Sequence, residues 1–217
     1  MADVYFLSPK ATTMNLKTTA LILVGYQNDY FAKDGILRGV IEEPGRVDTV
    51  LANTLSLIRA LAPTPATLIS TPIVLKPDYR ALASPVGILH AIKTSGAFAL
   101  GTKGAETIPE LAAFGDRIQY VSGKVGFNGF SGTQLEQVLR DKGITRVLLA
   151  GMVTSLCIDS TGRAAYERGY SVTVLSDCTS SRTATEQDFF CSTVFPLYGE
   201  VLRGDQVMQA ADAQVTA

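Results

Sequence analysis

The sequence predicts a three-layer α/β/α fold in which helices cover both faces of a mainly parallel, doubly wound sheet of about six strands. Two observations carry this prediction. Apolar runs typical of buried strands recur along the chain, and helical patterns with short links separate them. No internal repeat, low-complexity linker or break in composition interrupts the pattern. We therefore interpret residues 1–217 as one domain, with an N-terminal arm over 1–17 and a C-terminal tail over 205–217.

The strands and helices are predicted from the spacing of apolar residues. The strand intervals are 19–24, 66–70, 117–121, 145–150, 171–175 and 197–202. The helical intervals are 44–61, which begins with Pro44, and 131–142, 157–168 and 183–194. Capping boxes, Ser131 with Gln134 and Thr183 with Glu186, mark the start of two of these helices. Strands that alternate with helices in this way form right-handed crossovers.

The longest irregular region covers residues 71–104 and contains one predicted helix, at 86–95. An excursion of this length is often a lid or a substrate wall. A surface insertion or an oligomer contact is an equally good interpretation, and the sequence leaves both open.

Composition narrows the classes of function. The chain has 19 Lys and Arg against 20 Asp and Glu, so its net charge gives no electrostatic basis for binding nucleic acid or an anionic membrane. No apolar run has the length of a membrane span, and the first 17 residues lack the apolar core of a signal peptide. A cytoplasmic location is therefore expected.

Cysteine and histidine counts restrict the chemistry further. The three cysteines are Cys157, Cys178 and Cys191, and an odd number without short pair spacing argues against a disulfide framework and a zinc site. The single histidine, His90, excludes a multi-histidine metal site. Neither a metal nor another cofactor is expected.

Cys157 is the candidate nucleophile. A short polar turn follows strand 145–150, and Cys157 then begins the helical pattern 157–168. Backbone N–H groups at a helix start favour a thiolate and can hold an oxyanion. The alternative is a packed core thiol, which is commoner for a free cysteine and is the interpretation for Cys178 and Cys191.

Lys124 is the candidate partner of that thiol. It follows strand 117–121 and lies among glycines, beside Phe127 and Phe130. Because the carboxyl ends of parallel strands meet at one edge of a sheet, this lysine can pair there with a thiolate. The alternative is a solvated loop lysine, which is the commoner fate of lysines.

Three stretches together resemble the isochorismatase-like cysteine hydrolases, which include isochorismatases, nicotinamidases, N-carbamoylsarcosine amidohydrolases and ureidoacrylate amidohydrolases. These stretches are "TALILVGYQNDYF", "GTKGAETIPEL" and the block from Gly123 to Ser181 that contains "GMVTSLC". The resemblance covers residues 18–202. It implies cleavage of a C–N bond in a small amide or ureido substrate through a thioester, by a Cys-Lys-Asp set at the ends of three strands. A homo-oligomer, a dimer or larger, is also implied.

Matched by position, the family's nucleophile is Cys157 and its lysine is Lys124. The oxyanion turn of the family matches Met152, Val153 and Thr154, with a cis peptide bond at Met152–Val153. The backbone N–H groups of Val153 and Cys157 are the implied oxyanion donors. The substrate-binding candidates are Tyr26, Gln27, Phe127, Phe130 and His90, although a solvent-facing role is the commoner one for His90.

The chain departs from the family at the catalytic aspartate, because Gly25 stands in that position. Three outcomes are open. Another group (Asp29, Tyr26 or Asp159) replaces the base, the substrate supplies its own proton acceptor, or hydrolysis is lost and the protein serves as a small-molecule-binding or oligomeric scaffold. A strand end normally has negative φ, so Gly25→Asp is expected to restore amidase activity.

Two branches of the family are disfavoured as guides to the substrate. True isochorismatases keep the acid and replace the cysteine, whereas this chain does the reverse. Nicotinamidases add a metal site with histidines after the second strand, and "STPIVLKPDYRAL" contains none.

Overall fold

The protein is described by a computed structural model that covers residues 14–215. Its six strands form one fully parallel sheet in the order β3-β2-β1-β4-β5-β6. The strands are β1 (Thr19–Val24), β2 (Thr67–Thr71), β3 (Gln119–Tyr120), β4 (Arg146–Met152), β5 (Ser171–Ser180) and β6 (Glu200–Leu202). The strand order reverses between β1 and β4, the point at which open α/β sheets commonly bind ligands.

Eight α-helices connect and follow the strands in the described part of the chain. They are α1 (Asn28–Phe31), α2 (Pro44–Leu61), α3 (Gly87–Ser95), α4 (Pro109–Ala112), α5 (Leu135–Asp141), α6 (Asp159–Glu167), α7 (Ala184–Phe189) and α8 (Gly204–Val215). None of these described helices is long and apolar enough to cross a lipid bilayer.

Alternating side chains of the central strands supply two cores. On β1, Leu21 and Leu23 pack with α2 and α8, while Ile22 packs on the opposite face with α5 and α6. The strand residues 20–24 are fully buried, as expected of a strand covered on both faces. The three-layer prediction is therefore confirmed.

Several predicted boundaries change in the structure. Strand β3 is two residues long, because Arg117 and its neighbours form a 3-10 turn, and β5 extends to Ser180 beyond the predicted end at 175. The Ser131–Gln134 capping box is wrong: the helix begins at Leu135, and Thr133 Oγ1 accepts the Leu135 N–H at 3.2 Å. At α7, Thr183 does cap, since its hydroxyl accepts the Glu186 N–H at 3.1 Å.

The two ends of the domain also differ from expectation. The C-terminal tail of the sequence analysis contains helix α8, which buries Val207 and Ala211 against α2 and β5. Of the N-terminal arm, residues 1–13 lie outside the described residues, while Met14 and Leu16 belong to the buried core. The predicted tail is therefore part of the packed fold.

The irregular region 71–104 is packed against the sheet in its central part. Ile73 forms a parallel bridge with Lys124, and Leu75 forms one with Ala99. Phe98 is fully buried with φ of +57°, a conformation uncommon outside glycine. These contacts bring the segment to the same edge of the sheet as Lys124.

Candidate active site

The ends of β1, β2 and β4 lie side by side at the switch point of the sheet. In the strand register, Val24 is paired with Thr71 on one side and with Gly151 on the other. A side chain at Gly151 would place its Cβ 1.9 Å from the Val24 carbonyl oxygen, so only glycine fits this close approach. The residues that follow β1 and β4 are therefore held next to each other.

Cys157 and Lys124 meet in this place. The Lys124 Nζ donates to the Cys157 Sγ over 3.6 Å, and the two residues are 0% and 3% exposed. Burial lowers the pKa of Lys124 from its ordinary value, and the nearby thiol opposes that shift. The pair can exist as thiolate and ammonium, or as thiol and amine, with the proton on either partner.

The turn before the thiol has the shape that the sequence analysis expects. The Met152–Val153 peptide bond is cis. Residues Thr154–Ile158 form one π-helical turn, so Cys157 lies in that turn and α6 begins after it, at Asp159. The Val153 carbonyl accepts from Leu156 and Ile158. Among the described residues, the Val153 N–H donates to no backbone carbonyl outside the hydrogen bonds within helices and strands.

Four hydroxyl groups at this edge are buried without a hydrogen-bond partner in the described residues. They belong to Thr71 at the end of β2, to Thr154 and Ser155 in the turn after the cis bond, and to Ser181 directly after β5. Burying an unpaired hydroxyl is costly unless a ligand or water supplies the partner. Thr154 was expected from the sequence, whereas Thr71 was missed because nothing in the strand pattern distinguishes it.

Gly25 differs from the expectation in its backbone conformation. Its φ is +76°, in the left-handed region, so the expected negative φ is wrong. A Cβ built there lies 3.3 Å from the Met152 carbonyl oxygen and 3.5 Å from Cδ2 of Tyr30. The ring of Tyr30 therefore lies at van der Waals distance from the place where a Gly25 side chain would begin, and the Met152 carbonyl oxygen lies slightly closer than that.

Gly25→Asp is consequently expected to destabilise the fold and to leave activity unrestored. The left-handed conformation and the close carbonyl oxygen together cost about 1–3 kcal/mol of unfolding free energy. Chemical denaturation measures this cost. Gly143→Asp is the matched control, because Gly143 has φ of +64° and open space around it. A Gly25→Asp protein of unchanged stability with faster turnover would contradict this account.

The three side chains considered as replacement bases are engaged elsewhere. Asp29 is buried and accepts the Phe98 N–H at 2.6 Å. The Tyr26 hydroxyl lies 2.6 Å from Thr54 Oγ1 on α2, and burial raises its pKa well above the ordinary value. Asp159 binds Arg163 and Tyr198. The structure therefore places none of them in contact with Cys157.

Most of the expected substrate-binding side chains serve the fold. Gln27 ties three segments together, donating to the Ile73 and Ala105 carbonyls at 2.7 Å and accepting from the Ile73 N–H. Phe130 stacks on Tyr170, just before β5 begins, which is the opposite end of that strand from the site. His90 is exposed on α3, as its solvent-facing interpretation predicts. Phe127 is half-buried and stays a candidate wall residue.

The other two thiols do not join the site. Cys178 is fully buried in β5, in agreement with its assignment to the core, while Cys191 is only half-buried. The described residues contain no cluster of three or more His, Cys, Asp or Glu side chains suited to a metal ion.

The sequence is similar to a known domain family and to several curated proteins. The isochorismatase domain profile matches residues 19–206. The chain is 32% identical to the uncharacterized isochorismatase family protein YwoC of Bacillus subtilis over 97 residues, which are 44% of this chain and 50% of YwoC. It is 39% identical to the ureidoacrylate amidohydrolase RutB of Methylobacterium radiotolerans over 59 residues, 27% of this chain and 23% of RutB. The chain thus spans half the length or less of these relatives.

Solved structures resemble the fold over nearly its whole length. A cysteine hydrolase from Pseudomonas syringae pv. phaseolicola superposes with a TM-score of 0.79 at 22% identity, covering 93% of this chain and 96% of that one. The N-carbamoylsarcosine amidase of Thermoplasma acidophilum gives a TM-score of 0.69 at 22% identity, covering 87% and 97%. At this level of identity the likeness concerns the fold.

Proposed function

We propose that this chain, which belongs to the isochorismatase domain family, is a cysteine hydrolase that cleaves a C–N bond of a small amide or ureido compound through a thioester on Cys157. The family and its structural neighbours are hydrolases. The observation that carries the specific proposal is the buried contact of 3.6 Å between Lys124 Nζ and Cys157 Sγ. A cationic lysine beside a thiol favours the thiolate, which is the nucleophilic form.

Relatives support the class of substrate. RutB is named a ureidoacrylate amidohydrolase, and a neighbour in fold is named an N-carbamoylsarcosine amidase. Both names describe cleavage of a C–N bond in a small molecule. A ureido or amide carbonyl is also an electrophile that a thiolate can attack and a backbone N–H can polarise.

The first half-reaction uses the thiolate form of Cys157 and the ammonium form of Lys124. The sulfur attacks the carbonyl carbon, and the Val153 N–H stabilises the oxygen as negative charge develops on it. The C–N bond then breaks while Lys124 gives a proton to the leaving nitrogen. The products are a thioester on Cys157, a free amine or ammonia, and neutral Lys124.

The second half-reaction restores the pair. Neutral Lys124 takes a proton from water as the water attacks the thioester carbon, and the C–S bond breaks to release the acid and the thiolate. Burial suits Lys124 to the first step, because a lysine with a lowered pKa gives up a proton more readily than an ordinary lysine. In this scheme Lys124 performs the proton transfers that the missing carboxylate would otherwise perform.

A second candidate is a protein of the same fold that binds a small molecule without hydrolysing it or serves as an oligomeric scaffold. The left-handed Gly25, with the Tyr30 ring against it, favours this alternative, because residue 25 carries no carboxylate. In both cases we propose a small-molecule ligand, no metal or other cofactor, no nucleic-acid or membrane partner, a homo-oligomer and a cytoplasmic location.

The test is turnover of a panel of small amides and ureido compounds, followed by release of ammonia or amine with a chelator present. Turnover of at least one compound by the natural protein is expected, and Cys157→Ala should lower it by on the order of 10³-fold or more. Turnover that survives in Cys157→Ala contradicts the proposal. Tight binding of a compound from the panel without release of product supports the scaffold instead.

A further inference from the structure

Thr161 is a buried threonine one helical turn after the proposed nucleophile. It lies in the first turn of α6, four residues beyond Cys157, and is 0% exposed. Residues four apart share one face of a helix, so Thr161 and Cys157 face the same side where the π-helical turn runs into α6. A threonine within a helix commonly bonds its hydroxyl to its own backbone. The Thr161 hydroxyl bonds to a different segment instead.

That segment is the loop of residues 122–130, which carries Lys124. The Thr161 Oγ1 accepts the Gly129 N–H at 3.0 Å, and its own O–H donates to the Phe127 carbonyl at 3.5 Å. A Cβ built on Gly129 would lie 3.2 Å from Cγ2 and 3.3 Å from Oγ1 of Thr161. Glycine at this position therefore lets the backbone of the loop approach α6 closely.

The loop is held at two points. At Lys124 a parallel bridge joins it to Ile73, whose N–H and carbonyl both bond with the Gln27 side chain. This first point fixes Lys124 relative to the sheet. The second point, the contact of Gly129 with Thr161, fixes the loop relative to the helix that follows Cys157. Thr161 thus links the segment of the lysine directly to the segment of the thiol.

We propose that Thr161 is a positioning residue, which holds the loop of Lys124 against the helix of Cys157 and so sets the separation of Lys124 Nζ and Cys157 Sγ. The inference rests on the proposed function of this pair. Gly129 is buried, and a buried N–H that loses its acceptor is costly, so without the hydroxyl the loop shifts to pair this group elsewhere. A displaced ammonium stabilises the thiolate less, because the attraction between two charges weakens as they separate.

The test is the pH dependence of Cys157 alkylation by iodoacetamide. Thr161→Val keeps the shape of the side chain and removes the hydroxyl, and we expect it to raise the pH midpoint of labelling by about one unit. Below both midpoints labelling should slow about tenfold, since a pKa one unit higher leaves about a tenth of the thiolate. Well above them the two rates should converge, which a general loss of stability would not produce. Thr161→Ser keeps the hydroxyl and should retain the natural profile.

Thr173→Val is the matched control. Thr173 is equally buried, and its hydroxyl accepts from Arg146 Nη1 at 3.0 Å near the start of β5, the end of that strand remote from the site. This variant should lower the melting temperature and leave the labelling profile unchanged. Gly129→Ala pushes the loop away from Thr161 by a second route and should give the same shift, including where Thr161→Val fails to fold.

The outcomes separate this inference from the proposed function. Fast labelling of the natural protein with an unchanged midpoint in Thr161→Val overturns the role of Thr161 alone. An equal shift in Thr161→Ser or in Thr173→Val overturns it as well. A natural protein in which Cys157 has the profile of an ordinary thiol overturns both the proposed function and the role of Thr161. The measurement requires no turnover, so it does not depend on finding the substrate.

Discussion

At pH 7, iodoacetamide is expected to label Cys157 well before the other two thiols. Burial raises the pKa of Cys178 to about 12 and that of Cys191 to about 11. Only about 10⁻⁵ and 10⁻⁴ of these two thiols are then ionised at pH 7, against about 3% for an ordinary cysteine. The Cys157 Sγ instead lies 3.6 Å from the Lys124 Nζ. Its labelling should exceed that of the others by at least about 10³-fold.

Peptide mapping after a short exposure to the reagent measures this selectivity. Cys157→Ala should remove the fast phase and leave slow labelling of Cys191, which is more exposed than Cys178. If Cys191 were labelled first in the natural protein, Cys157 would be an inert core thiol, and this result would support the scaffold interpretation.

Lys124→Met is expected to abolish most of the reactivity while the protein stays folded. Methionine fills a similar volume, so the loss is mainly that of the charge and the proton carrier. Labelling of Cys157 at pH 7 should slow markedly, and turnover should fall by on the order of 10²–10⁴-fold, the usual contribution of a general acid or base. Lys142→Met, which changes an exposed lysine, is the matched control and should alter neither rate.

The same variant should change how stability depends on pH. Because the pKa of Lys124 is lower in the folded than in the unfolded chain, the unfolded chain binds more protons between the two values. The buried Lys124 therefore lowers the free energy of unfolding by its full amount at low pH. This loss of stability disappears as the pH rises toward the ordinary pKa of lysine. Lys124→Met should abolish this increase of the free energy of unfolding with pH. Below neutral pH the variant should be as stable as the natural protein or more stable. Labelling at the natural rate in Lys124→Met would refute the pairing.

Local sequence patterns predicted the architecture and the positions of the two central residues. The strand ends locate Cys157 and Lys124 because parallel strands bring their carboxyl ends to one edge. Apolar spacing likewise fixed the long helix α2, whose Pro44 start and Leu61 end agree with the interval 44–61. These features depend on residues close together in the chain.

Features that depend on distant residues were not predictable in this way. The left-handed conformation of Gly25 would point a side chain at Met152 and Tyr30, and the capping box at Ser131 gives way to a cap by Thr133. Tyr26 and Tyr30 look alike in sequence, yet one points to Thr54 and the other lies against Gly25. Only packing against α2 and the segment around Phe98 separates their roles.

The mass of the intact protein, measured after acid quenching during turnover of a panel substrate, tests the central claim most directly. The account predicts a transient increase equal to the acyl part of the substrate, located on Cys157 by peptide mapping and removed by hydroxylamine. The increase should be absent in Cys157→Ala. Steady turnover with no adduct on Cys157, or with an adduct on another residue, would contradict the claim that this thiol forms a thioester.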